Sequence, residues 1–242
     1  VGIDRSYYAP LDRETLRRYA AELPAGFPCV MKVFGELTSL VHPRTREPNP
    51  LFLEFDRFER DVLAPVSEVF ADHVGALVFE FSPLRGRELP AAAAFEDRLG
   101  DFLRRLPSGV SCAVELRNRQ LLTHSYLELL RSHGVGHVLN FWERMPDIGE
   151  QLDIPGVLTS GVVVARLLIA PGERYEERKR AFEPFDRIVA PQEKMRADVA
   201  RLSEACALLG KVLLVIVNNK AEGSSPLTVH ALAERIARAE AS

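Results

Sequence analysis

Cysteine is scarce in this chain: Cys29, Cys112 and Cys206 are the only three in 242 residues, odd in number and far apart. Such a set is no disulfide framework, and it points to a reducing compartment, the cytoplasm. Long apolar runs are missing as well. No stretch approaches the roughly 18 residues of a membrane span, and no charged-then-apolar signal opens the chain. Neither sign of charge dominates. The formal net charge of −3 excludes an overall basic coat for nucleic acid, although it leaves room for a local basic patch. No glycine-rich dinucleotide fingerprint, P-loop or G-x-S-x-G elbow occurs. The histidines (His42, His73, His124, His133, His137, His230) show neither H-x-H nor H-E-x-x-H spacing, so no metal and no cofactor is expected. No repeat or Gly/Ser linker divides residues 1–242, which reads as one domain.

What is present is alternation. Short β-branched or aliphatic runs predict strands at Val1–Asp4, Cys29–Val33, Ala76–Phe81, Ser111–Leu116, Gly136–Phe141, Val162–Ile169 and Val212–Val217. Helical periodicity fills the intervals. Asp12 caps Leu16, Tyr19, Ala20 and Leu23; Phe52, Phe55, Phe58 and Val62 form a helix interrupted near Pro65. Further helices carry Phe95, Leu99, Phe102 and Leu106, then Tyr126, Leu127 and Leu130, then Met195, Val199, Leu202 and Cys206. The last runs from Ser225-Pro226 to about Ala239. Seven βα units predict an α/β fold, a TIM-type (β/α) barrel, with a first βα unit expected ahead of Val1. Strand-to-helix connections are long (Phe34–Pro50, Ser82–Pro90, Trp142–Gly161, Ala170–Pro191) and the opposite set is short. A barrel carries its site on the long-loop, C-terminal face.

Residues two apart on a strand share a face, and at each strand end an apolar or small residue is followed by a polar one. The set is Asp4, Lys32, Glu80, Glu115 with Arg117, Asn140, Arg166 and Asn218. Long charged side chains are rarely placed inside a barrel mouth without partners, and these could pair among themselves as a structural salt network. Arg117 offers a planar donor fork beside Glu115, which favours the carboxylate form and so a base or nucleophile. After the last strand, Asn218-Asn219-Lys220-Ala221-Glu222-Gly223-Ser224-Ser225-Pro226 opens a helix and suits an anion, or is simply a capped turn. Arg44, Arg46, Arg85 and Arg87 line two long loops, and Trp142 can wall a pocket or pack a loop.

The segments Gly2–Tyr8, Met31-Lys32-Val33, Ala113–Arg117, Val164–Leu167 and Val217-Asn218-Asn219 with Ala221-Glu222-Gly223 resemble the YecE-like family, domain of unknown function number 72, over nearly the whole chain. The resemblance implies a TIM-type barrel with an initial strand ahead of the Asp-x-x-x-Tyr segment. It also implies recurrent polar positions at Lys32, Glu115, Arg117, Arg166, Asn218 and Asn219. Glu80 departs from the family's usual Gln, and Asn118-Arg119-Gln120 stands where a Trp is often near. The family brings no reaction.

From the residues, the chain reads as an enzyme, a metal-independent hydrolase, acting on a small polar or anionic substrate such as a carbohydrate or phosphate derivative. Glu115, Glu80 and Asp4 are the candidate catalytic carboxylates. Lys32, Arg117, Arg166, Asn218, Asn219, Lys220 and Ser224 are the candidate binding residues. The alternative is a nucleic-acid-binding module using the basic rim loops, whose binding must weaken as salt rises. No membrane partner is expected, and the oligomeric state stays open.

Overall fold

Every expected strand forms, and within each of two compact units, Val1–Gly136 and His137–Ser242, neighbouring strands pair in parallel. The computed structural model describes residues 1–42 and 45–240. Its succession of seven parallel strands with intervening helices is that of a TIM-type (β/α) barrel.

In the first unit β1 (Gly2–Ile3), β2 (Cys29–Lys32), β3 (Val74–Glu80) and β4 (Cys112–Glu115) pair in chain order. Their inner stretches are apolar and buried, as parallel strands covered on both faces require. β1 is shorter than the sequence predicts. Asp4 leaves the strand with helical dihedrals and starts a 3-10 turn, Arg5–Tyr7, in which the Tyr7 N–H donates to the Asp4 carbonyl at 3.1 Å.

Helices α1 (Arg13–Glu22), α2 (Gly35–Thr38), α3 (Phe55–Phe58), α4 (Ala64–Val69), α5 (Ala92–Leu103) and α6 (His124–Ser132) complete this unit. Asp12 caps α1 as expected, accepting from the Thr15 N–H at 2.7 Å. The expected interruption before Pro65 is a π-turn, Glu59–Leu63, between α3 and α4; proline tolerates the first turn of the resumed helix because it has no N–H to lose there. Phe55, Phe58, Phe79 and Phe102 pack edge to face or tilted with ring centres 5.2–5.9 Å apart where α3 and α5 cover β3.

The second unit holds β5 (Gly136–Phe141), β6 (Val162–Leu167) and β7 (Val212–Val217), with α7 (Ile148–Leu152), α8 (Tyr175–Phe182), α9 (Glu193–Leu208) and α10 (Ser225–Glu240). Leu139, Val163, Ala165, Leu167, Met195, Val199 and Leu202 form its core. Three of the expected loops contain α-helices, the first being the four-residue α2 within Phe34–Pro50. In Trp142–Gly161, α7 is started by a capping box: Asp147 accepts from the Glu150 N–H at 2.8 Å and Glu150 accepts from the Asp147 N–H at 3.0 Å. In Ala170–Pro191, α8 buries only Phe182 and carries five consecutive charged residues, so it has little apolar periodicity to reveal it. All three cysteines are buried free thiols, and burial pushes Cys112 up to about 12. No helix among the described residues is long and apolar enough to cross a membrane.

His137 sits wholly inside β5, and burial drives its imidazole down from 6.5 to about 4, against a raising hydrogen bond from Gln151. A depressed histidine leaves the folded state unprotonated while the unfolded chain takes a proton. Stability is therefore full above pH 6.5 and is lost as pH falls from there toward about 4. The expected loss is about 3 kcal/mol, read as a falling denaturant midpoint. A His137→Gln chain should show a flatter curve across that window; identical slopes would contradict the assignment.

Candidate active site

The end of β3 and the end of β4 bring two carboxylates side by side, because Glu80 and Glu115 are register partners across the parallel pair. Two like charges on neighbouring strands repel unless a cation lies between them. Arg117 supplies it: its Nη2 is 2.7 Å from Glu115 Oε1 and 3.1 Å from Glu80 Oε2. The same Glu80 Oε2 also meets Lys32 Nζ, from the end of β2, at 3.0 Å, and Lys32 reaches Asp4 Oδ1 at 3.2 Å. The result is one chain of alternating sign, Asp4–Lys32–Glu80–Arg117–Glu115, running across the C-terminal ends of the four strands.

Burial grades along this chain. Asp4 is 56% exposed at its side chain, Lys32 and Glu80 13%, Arg117 4% and Glu115 0%. Five of the residues expected to act together are thus in contact, and they differ sharply in access to solvent.

Tyr7 joins them unannounced. Its phenol is 2.8 Å from Ser82 Oγ, and Lys32 Nζ stands 5.2 Å from its ring centre. Burial raises the phenol above the usual tyrosine range. The Ser82 hydrogen bond opposes that, Glu80 adds to it, and Lys32 and Arg117 pull the other way. The ring can lie there because residue 35 is glycine: a Cβ on Gly35 would fall 2.8 Å from Tyr7 Cζ. Asn118, also unforeseen, clamps the loop after β3, accepting from the Leu84 N–H at 2.8 Å and donating to the Leu84 carbonyl at 3.0 Å. The signal for Tyr7 was its place three residues past Asp4, and for Asn118 its place directly after Arg117.

The remaining expected residues belong to the second unit. Arg166 is buried on β6, in register with Asn140 of β5. Asn218 accepts from both the N–H and the ammonium of Lys220, at 3.0 and 3.3 Å. Asn219 accepts from the Ser225 N–H at 2.8 Å and so caps α10. Ser224 is buried, and its carbonyl accepts the Thr228 hydroxyl at 3.0 Å. Glu222, wholly buried, holds Arg196 in a two-pronged ion pair at 2.9 and 3.0 Å.

On the rim, Arg46 pairs with Glu88, and Arg85 stands exposed; Arg44 lies outside the described residues, as does the Arg87 side chain. Trp142 is half-buried after β5. Among the described residues no group of three His, Cys, Asp or Glu is set to hold a metal ion.

A family model described as "Protein of unknown function DUF72" matches residues 1–242. No curated protein matches. Two crystal structures of a DUF72 family protein from Enterococcus faecalis V583 are similar at 16% identity. One covers 98% of this chain and 84% of that chain with a TM-score of 0.67; the other covers 100% and 89% with a TM-score of 0.62. The crystal structure of a DUF72 family protein from Thermotoga maritima MSB8 is similar at 17% identity, covering 98% of this chain and 82% of that one, with a TM-score of 0.55. At such identities the likeness speaks for the fold.

Proposed function

We propose a function for this chain, which belongs to the DUF72 (YecE-like) family of proteins of unknown function, from its own charge chain: it is an enzyme, a hydrolase of small polar, hydroxyl-bearing substrates such as carbohydrate derivatives, with Glu80 as the general base. The observation that carries this reading is the pair of cations on one Glu80 oxygen, Lys32 at 3.0 Å and Arg117 at 3.1 Å, on a carboxylate that keeps some exposure. Two cations on one oxygen fix the carboxylate in place, and a carboxylate so positioned is the group proposed to take a proton from water. Glu115, with no exposure, anchors Arg117 from behind instead of meeting the substrate. Tyr7, kept protonated by burial, donates a hydrogen bond to a substrate oxygen at the same place.

Charge selects the substrate. In the described contacts three carboxylates alternate with two cations, so the centre is of mixed sign and is not the basic cluster that an anion calls for. A neutral polyol or sugar derivative matches its alternating donors and acceptors better. Each of the three carboxylates already has a cation beside it, which opposes recruitment of Mg²⁺ through oxygen ligands. The basic-rim reading draws less support, because Arg46 spends its charge on Glu88.

The test is a turnover screen of the full chain against a library of neutral and acidic hydroxylated compounds, with and without a chelator. Hydrolysis of a neutral compound, equal within error in the chelator, is the expected result. Turnover of none, or turnover that the chelator abolishes, contradicts the proposal.

A further inference from the structure

The segment after β7 contains a charge that the proposed hydrolytic centre does not use. Lys220 is 9% exposed, and no carboxylate among the described residues is within ion-pair reach of its ammonium. Its surroundings are two aromatic faces and one amide: the Tyr175 ring centre at 4.4 Å, the Phe185 ring centre at 5.8 Å, and Asn218 Oδ1 at 3.3 Å. Rings and an amide oxygen orient and partly stabilise a cation, but they leave its unit charge uncompensated. A lysine with a purely architectural task would be matched with a carboxylate or replaced by an apolar side chain.

The backbone around this ammonium is strained as well. Phe185 has a φ of 66°, in the left-handed region that an aromatic residue seldom enters. Strain of this kind persists only where the surroundings enforce it, and it concentrates at ligand sites. The chain that follows Phe185 is held at several points. Immediately after Lys220, the Glu222 carbonyl accepts from the Val189 and Ala190 N–H groups at 2.7 and 3.1 Å, and the Glu222 carboxylate accepts from the Gln192 N–H at 2.6 Å. Gly223 leaves the necessary space, since a Cβ there would lie 2.4 Å from the Arg187 carbonyl oxygen. One short segment therefore presents the cation and also pins the loop that carries Phe185.

We infer that Lys220, boxed by Tyr175 and Phe185 and steadied by Asn218, is a binding site for an oxyanion group, phosphoryl or carboxylate, of a small ligand. The anion supplies the missing counter-charge, and the two rings bracket the ammonium so that it cannot turn away to solvent. The inference does not rest on the Glu80 reading and stands whether or not that centre hydrolyses anything.

Calorimetric titration of the full chain with inorganic phosphate, sulfate and acetate, each against sodium chloride at matched ionic strength, tests it. Binding of at least one oxyanion is expected, weakened at least tenfold in Lys220→Met and about threefold in Tyr175→Leu, with Lys32→Met within twofold of the parent. Phosphate and sulfate bound over acetate assigns a phosphoryl ligand; acetate bound over both assigns a carboxylate. If Lys220→Met does not fold, the Tyr175→Leu and Lys32→Met comparison decides in its place. Binding of none of the three anions, or affinity lost with Lys32 and kept without Lys220, overturns the inference.

Discussion

Arg117→Met is expected to lower the free energy of unfolding by about 3–5 kcal/mol, the usual loss when one partner is removed from a buried ion pair. Glu115 has no exposed surface, and the Arg117 guanidinium beside it at 2.7 Å compensates its charge. The same guanidinium separates Glu115 from its register partner Glu80, so the substitution also exposes two carboxylates to each other. Methionine keeps most of the volume, which confines the effect to charge. The companion substitution sharpens the result. Glu115→Gln in the Arg117→Met background removes the stranded charge and should restore more than half of the loss, since residues in one network do not act additively. Denaturant unfolding at pH 7 reads both. A loss below about 1 kcal/mol for Arg117→Met would mean that the pair is no stronger than a surface salt bridge.

The fold was legible because apolar runs in a parallel sheet are continuous. Val212–Val217, with six consecutive aliphatic residues, needs no neighbour to be recognised as a strand. The helices inside the long loops were not legible. α2 and α7 are only four and five residues long, and α8 is charged nearly all round, so none of the three carries an apolar stripe. At the candidate site, the rule that strand residues two apart share a face singled out Lys32, Glu80, Glu115 and Arg117, and the structure places them in contact with one another and with Asp4. Periodicity says nothing about depth, however. It gives Glu80 and Glu115 equal standing, whereas the register and the path of Arg117 leave one partly open and the other sealed. Tyr7 was hidden for a different reason. It lies in a 3-10 turn, not on a strand, and its position depends on a glycine 28 residues further along the chain. Asn219 shows the converse, because a residue expected to touch substrate has its amide oxygen bound to the first turn of α10.

The central claim is that Glu80 is the reacting carboxylate. The direct measurement is kcat for Glu80→Gln beside Glu115→Gln, on the compound that the turnover screen returns, with folding of both chains confirmed. Glutamine preserves the shape and the hydrogen-bond reach toward Lys32 and Arg117 but cannot take a proton. General-base catalysis is worth roughly 10²–10⁴-fold, so Glu80→Gln should lose kcat by that factor with little change in KM. Glu115→Gln acts only through the placing of Arg117 and should lose less than tenfold. A Glu80→Gln enzyme within about threefold of the parent, or a Glu115→Gln enzyme more impaired than it, would contradict the account.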